Sequence, residues 1–214
     1  MIQRGGNWLL KRRKNRWIRR LPSPDKWLST EQIRMMKMNI QHAVKHENLV
    51  LMVTSPEENR RQPFISSKLA SSFAEAGKKV LLVDVNFRKP VIHQLFGFRN
   101  ASGLSNLLRG EKGKVMEGIV QNLDILSAGS FSIHLESLER IEQLITVWQR
   151  CYDVIVLDTP AFLDAADSQI LSSACDGVLL VIQENRTKEA NALQVKKILE
   201  RTNNNLLGAI YQTS

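Results

Sequence analysis

The residues that could do chemistry stand at the carboxyl ends of apolar runs. Asp84 closes Val80 to Val83, and Asp158 closes Val154 to Leu157. In open α/β sheets ligands sit at the carboxyl ends of strands, where an aspartate can hold magnesium or its water for phosphoryl transfer. The competing role for either aspartate taken alone is a helix cap or a turn acceptor. Upstream, the segment Thr54 to Phe64 has the length of a phosphate-binding loop but not its residues. A G-x-x-x-x-G-K-[ST] loop uses glycine for close backbone approach, lysine for the β/γ-phosphates and a hydroxyl for magnesium. Counting back from Leu69-Ala70 puts Gln62 at the lysine position, Pro63 at the hydroxyl position, and Pro56, Asn59 and Arg61 at the glycine positions. Proline suits a first helical turn, yet it offers a phosphate no N–H and a metal no oxygen. Losing the lysine contact costs about 1.5–3 kcal/mol and the hydroxyl and N–H roughly 1 each, together about a thousandfold in affinity. Ser55, Asn59, Arg60, Arg61 and Gln62 are the candidate anion-binding residues of this altered loop, with the arginines as flexible cations rather than a preset cradle.

Positioning these groups requires a strand–helix–strand unit. Leu49 to Val53 is a continuous apolar run, as expected for a strand covered on both faces. Ile65, Leu69, Phe73 and Ala76 form a helical stripe ended by Gly77, and Val80 to Val83 is the next strand. Such a unit makes the two strands parallel with a right-handed crossover. Further strands are expected at 123–126, 152–160, 177–182 and 206–211. Helices are expected at 29–46, 135–150, 167–174 and 188–201, with a short one over 102–110 closed by glycine. The alternation argues for an α/β fold, a parallel sheet flanked by helices.

Composition limits the rest. At 214 residues and 43% hydrophobic content, one globular domain over 29–214 follows a tail and linker over 1–28. Eight of the 30 Lys and Arg residues lie within 1–20, which holds no acid, so the remainder carries 22 basic against 21 acidic side chains. The net charge of +9 is therefore a property of the tail. Residues 4–20 interleave Lys and Arg with Trp8, Leu9, Leu10, Trp17 and Ile18, a pattern suited to an anionic membrane surface, with nucleic acid or plain solvent as the alternatives. No apolar run is long enough to span a bilayer. Cys151 and Cys175 lack metal-ligand spacing and suit a reducing cytoplasm, and the four histidines stand at no triad or ligand spacing. Glu31, Arg34 and Lys37 recur every third residue on the first helix, as an exposed salt-bridged face would.

From Thr30 to Gln212 the chain resembles the bacterial tyrosine kinases. Val80 to Pro90 resembles that family's second phosphate-site motif, an apolar strand followed by D-x-D-x-R-K-P. Tyr152 to Pro160 resembles its Walker B strand, and 166–171 and 176–182 follow in the family's order. The resemblance implies a three-layer P-loop NTPase-like fold, ATP and Mg2+ as cofactors of an active member, and Asp84, Arg88 and Asp158 as the remaining catalytic set, with Asp84 and Asp158 toward the metal. It also implies that Glu31, Arg34 and Lys37 match the family's E-x-x-R-x-x-R oligomerisation motif, with lysine for the last arginine. The departures are Gln62, Pro63 and Asn86, a terminus with Tyr211 in place of a tyrosine cluster, and Phe131-Ser132-Ile133-His134 in place of a Pro-rich segment. The expectation is a pseudokinase or regulatory partner of exopolysaccharide or capsule biosynthesis, with no bound cofactor if the loop is retired. It would lie at the inner face of the cell membrane, and its partners would be a transmembrane polysaccharide co-polymerase and its own kind or a paralogue. The alternatives are an active tyrosine kinase using Arg60 and Arg61, and a partitioning-type ATPase.

Overall fold

A computed structural model describes residues 30–44, 47–131 and 138–213. The basic segment 4–20, the linker, His46 and His134 lie outside the described residues. Among the described residues, seven strands form one sheet: β1 (Leu49–Thr54), β2 (Val80–Asp84), β3 (Val115–Val120), β4 (Leu123–Leu126), β5 (Val154–Asp158), β6 (Gly177–Gln183) and β7 (Leu206–Gln212). Their spatial order is β3-β4-β2-β5-β1-β6-β7, with every pair parallel except β3 with β4. The helices are α1 (Thr30–Ala43), α2 (Gln62–Glu75), α3 (Ile92–Phe96), α4 (Leu104–Leu108), α5 (Leu138–Trp148), α6 (Ala166–Leu171) and α7 (Glu189–Arg201).

Strand alternation sorts the core into layers, as period-2 geometry requires. Leu49, Leu51 and Val53 of β1 face one side, where Ile33 and Ile40 of α1 and Ile65, Leu69 and Phe73 of α2 cover them. Val50 faces the other, against Ile141, Ile145 and Trp148 of α5, and Met52 meets Val195 and Leu199 of α7. Each of these fully buried large side chains contributes about 1.5–3 kcal/mol. That sandwich of helix, sheet and helix is what the continuous apolar runs require.

The α/β fold stands as expected, and three details need correction. The sheet is not wholly parallel, because β3 adds an antiparallel edge strand where the sequence reading had none. Its residues are half-buried or exposed, Glu117 and Gly118 interrupt the alternation, and the register slips between Met116 and Val120. The helix read over 167–174 divides into α6 and a 3-10 turn at Ser172–Ala174. The first helix ends at Ala43 rather than continuing to His46.

Candidate functional site

The site forms where β1, β2 and β5 end side by side. Asp84 and Asp158 are register partners on adjacent strands, and both are buried. The Val85 amide donates to the Asp158 carbonyl at 2.8 Å, fixing the two strand ends together. Asp84 accepts from backbone N–H groups with both oxygens: Asn86 on Oδ1, and Val91 and Ile92 on Oδ2, each at 3.1 Å. It thus organises the turn into α3, the structural role that competed with a metal role in the sequence. Asn86 continues that turn by accepting the Lys89 amide.

Asp158 is held from the helix side. Ser66 Oγ donates to its Oδ1 at 2.6 Å and Gln62 Nε2 donates to the same oxygen at 3.0 Å. Gln62 Nε2 also reaches the carbonyls of Thr159 (2.6 Å) and Val53 (3.2 Å), while Gln62 Oε1 accepts from Ser55 Oγ at 2.8 Å. Three acceptors around Nε2 fix the orientation of the amide, since the reverse would set Oε1 against two carbonyls and a carboxylate. The Gln62 side chain is 4% exposed and committed to the strand ends. Asp158 Oδ2 is buried without a hydrogen-bond partner. Burial pushes both carboxyl pKa values up, and the charge of Asp158 pushes Asp84 further. The two titrate as one unit that retains a proton into the neutral range.

In front of this lies a cleft of about 360 Å³, lined among others by Asn59, Arg60, Gln62, Pro63, Asn86 and Lys89. Lys89 bridges its mouth by an ion pair with Glu58. The loop behind it is tied outward: Asn59 Nδ2 donates to Gln212 Oε1 at 3.2 Å, and Arg61 donates to the Thr213 carbonyl at 3.2 Å. Asn59 Oδ1 accepts the Arg61 amide at 2.9 Å, and α2 begins at Gln62 without a side-chain cap. Among the described residues, no member of 55–62 adopts positive φ. The cradle that glycine permits in a phosphate loop is therefore absent here.

The structure brings together Ser55, Asn59, Arg60, Gln62, Asp84 and Asp158 from the sequence-derived set, but not the rest. Arg61 turns to the C-terminal strand, and Arg88 is exposed and outside the cleft lining. Asp84 and Asp158 lie beneath the cleft rather than lining it. The described residues hold no cluster of three or more His, Cys, Asp or Glu side chains placed for a metal. Glu31 and Arg34 form an exposed ion pair at 3.3 Å, whereas Lys37 donates to the Ser72 carbonyl and ties α1 to α2. Sequence reasoning missed Ser66. Its signal was the i+4 spacing from Gln62, which places both side chains on one face of α2.

No family model matches the chain. It is 36% identical over 194 residues to the tyrosine-protein kinase YwqD of Bacillus subtilis, covering 86% of this chain and 81% of that one. A candidate tyrosine-protein kinase in the cps region of Klebsiella pneumoniae is 32% identical over 194 residues, covering 86% of this chain but only 26% of that longer protein. Among solved structures, the kinase domain of the Escherichia coli tyrosine kinase ETK superposes with a TM-score of 0.77 at 26% identity, covering 86% of this chain and 74% of that one. Among the described residues, no helix is long and apolar enough to cross a membrane.

Proposed function

Because the chain belongs to the bacterial tyrosine-protein kinase family, we propose that it serves exopolysaccharide or capsule assembly as a family member with impaired magnesium–nucleotide binding, acting as a regulatory partner. The observation that carries this reading is the Gln62 amide. It stands where a phosphate-contacting lysine is required, and it is spent on Asp158, Val53 and Thr159. A neutral amide with both hydrogens engaged has nothing left for a phosphate, and Pro63 behind it supplies neither N–H nor hydroxyl. Ser66 and Gln62 occupy Oδ1 of Asp158, while its buried Oδ2 has no hydrogen-bond partner and is the atom left to a hydrated cation. As arranged, Gln62 and Pro63 do not fit the triphosphate of a magnesium nucleotide.

The cps-region relative supports the pathway. In this role the exposed Glu31–Arg34 pair on α1 would meet a family neighbour or a polysaccharide co-polymerase, with residues 4–20 at the anionic inner face of the membrane. A second reading rests on Arg60, which lines the cleft, and on the retained Asp84–Asp158 pair. There the protein would be an active kinase whose arginine replaces the lysine.

Transfer of labelled γ-phosphate to the protein or to a tyrosine polymer separates the two. The expected result is no transfer by the natural chain, and gain of transfer in Gln62→Lys/Pro63→Ser. Transfer by the natural chain that disappears in Asp158→Ala would establish the second reading instead.

A further inference from the structure

The two edges of the sheet are built differently. β3 carries Glu117 near its middle, turns through Gly118 at φ 73, and slips register against β4. Charge and bulge are the devices that stop an edge from pairing with another chain. At the opposite edge, β7 reads LLGAIYQ, seven residues with neither charge nor proline; its one register shift lies at its start, between Leu206 and Gly208, and from Gly208 to Gln212 it runs in unbroken register with β6. Among the described residues, β6 is its only strand partner. Ala209 and Tyr211 are exposed, as are Met35 and Met38 on α1. Between α1 and β7 runs an apolar groove of about 270 Å³ floored by Met36, Ile40 and Leu207.

We propose that the β7 edge joins a second copy of this chain, so that two sheets continue into one across a twofold axis. A row of outward N–H and C=O groups calls for an extended strand, and β7 is complementary to itself. Antiparallel pairing about Ile210 sets Ala209 opposite Tyr211 on both sides of the axis, small against large, and Gly208 opposite Gln212. Charge does not oppose this surface: beyond the basic tail the chain carries 22 basic against 21 acidic side chains, and the uncharged edge sets no like charges opposite one another. The five residues Gly208 to Gln212 give about 17 Å of ladder. The methionines and groove beside it supply the apolar burial that a bare strand pair lacks on the way to roughly 1,000 Å². This interface is separate from the Glu31–Arg34 face and does not depend on whether nucleotide binds.

The test is sedimentation of the full chain over a concentration series, beside Ala209→Lys and Arg34→Ala. The expected result is a dimer in the natural chain and in Arg34→Ala, weakened at least about tenfold by the edge lysine. In a Cys151→Ser background, Ala209→Cys/Tyr211→Cys should form disulfide-linked dimers on oxidation. That readout stands even if the lysine variant folds poorly. A natural chain that stays monomeric, a dimer unmoved by Ala209→Lys, or β7 amides equally protected from exchange at every concentration would each overturn the proposal. The last result would place the occupant of the edge within the same chain.

Discussion

Gln62 is the residue on which the site turns, because one buried amide is the donor to the Thr159 carbonyl and shares Asp158 Oδ1 with Ser66 and the Val53 carbonyl with Thr159. Truncating it leaves the Thr159 carbonyl without a donor, leaves Ser66 alone on Asp158 Oδ1 and empties a buried side-chain volume, so Gln62→Ala should cost about 2–4 kcal/mol. Thermal unfolding should register this as a Tm lower by roughly 5–15 °C for a domain of this size. The carboxyl pair makes a second prediction. Both folded pKa values lie above the unfolded value, so the native state holds more protons than the unfolded chain between the ordinary carboxylate range and neutrality. Stability contributed by the pair therefore falls as pH rises through that window and returns as pH falls. Asp158→Asn removes the repulsion on Asp84, and denaturant unfolding at pH 5 and pH 8 should show a flatter dependence, by roughly 1–2 kcal/mol across the interval.

At the scale of elements, α2 and the loop before it are held by partners remote in sequence. Asn59 reaches Gln212 across 153 positions, and Gln212 is fully buried with Nε2 already lacking an acceptor. Asn59→Ala would leave the whole Gln212 amide unpaired, costing about 1–3 kcal/mol. Hydrogen exchange across 55–61 should accelerate with it. This tie marks where the sequence ceased to be legible. The apolar runs announced β1, β2 and β5, and with them the placement of Asp84 and Asp158, because strand period and burial are written locally. What Gln62 touches was not written locally, since its partners come from two strand ends more than ninety residues apart. β3 escaped for a different reason. An exposed, bulged antiparallel edge needs no continuous apolar run, and Glu117-Gly118 breaks the one it has. Arg88 shows the limit of motif reasoning, for the motif fixed its position in the chain while the turn built on Asn86 sends Lys89 rather than Arg88 to the cleft.

Across the whole molecule, the fold keeps the frame of the bacterial tyrosine kinases, with the Gln62 amide bonded to the strand ends at the back of the cleft. Seven strands, helices on both faces and two aspartates at the strand ends are all present. The lysine, the hydroxyl and the glycine cradle are replaced by an amide, a proline and a loop pinned to β7. Calorimetric titration of the full chain with ATP in the presence of Mg2+, set beside Gln62→Lys/Pro63→Ser, tests this most directly. The expected result is no saturable binding by the natural chain up to about 1 mM ligand, a ceiling near −4 kcal/mol, with measurable binding regained in the double variant. Micromolar, magnesium-dependent binding by the natural chain that is lost in Asp158→Ala would contradict it.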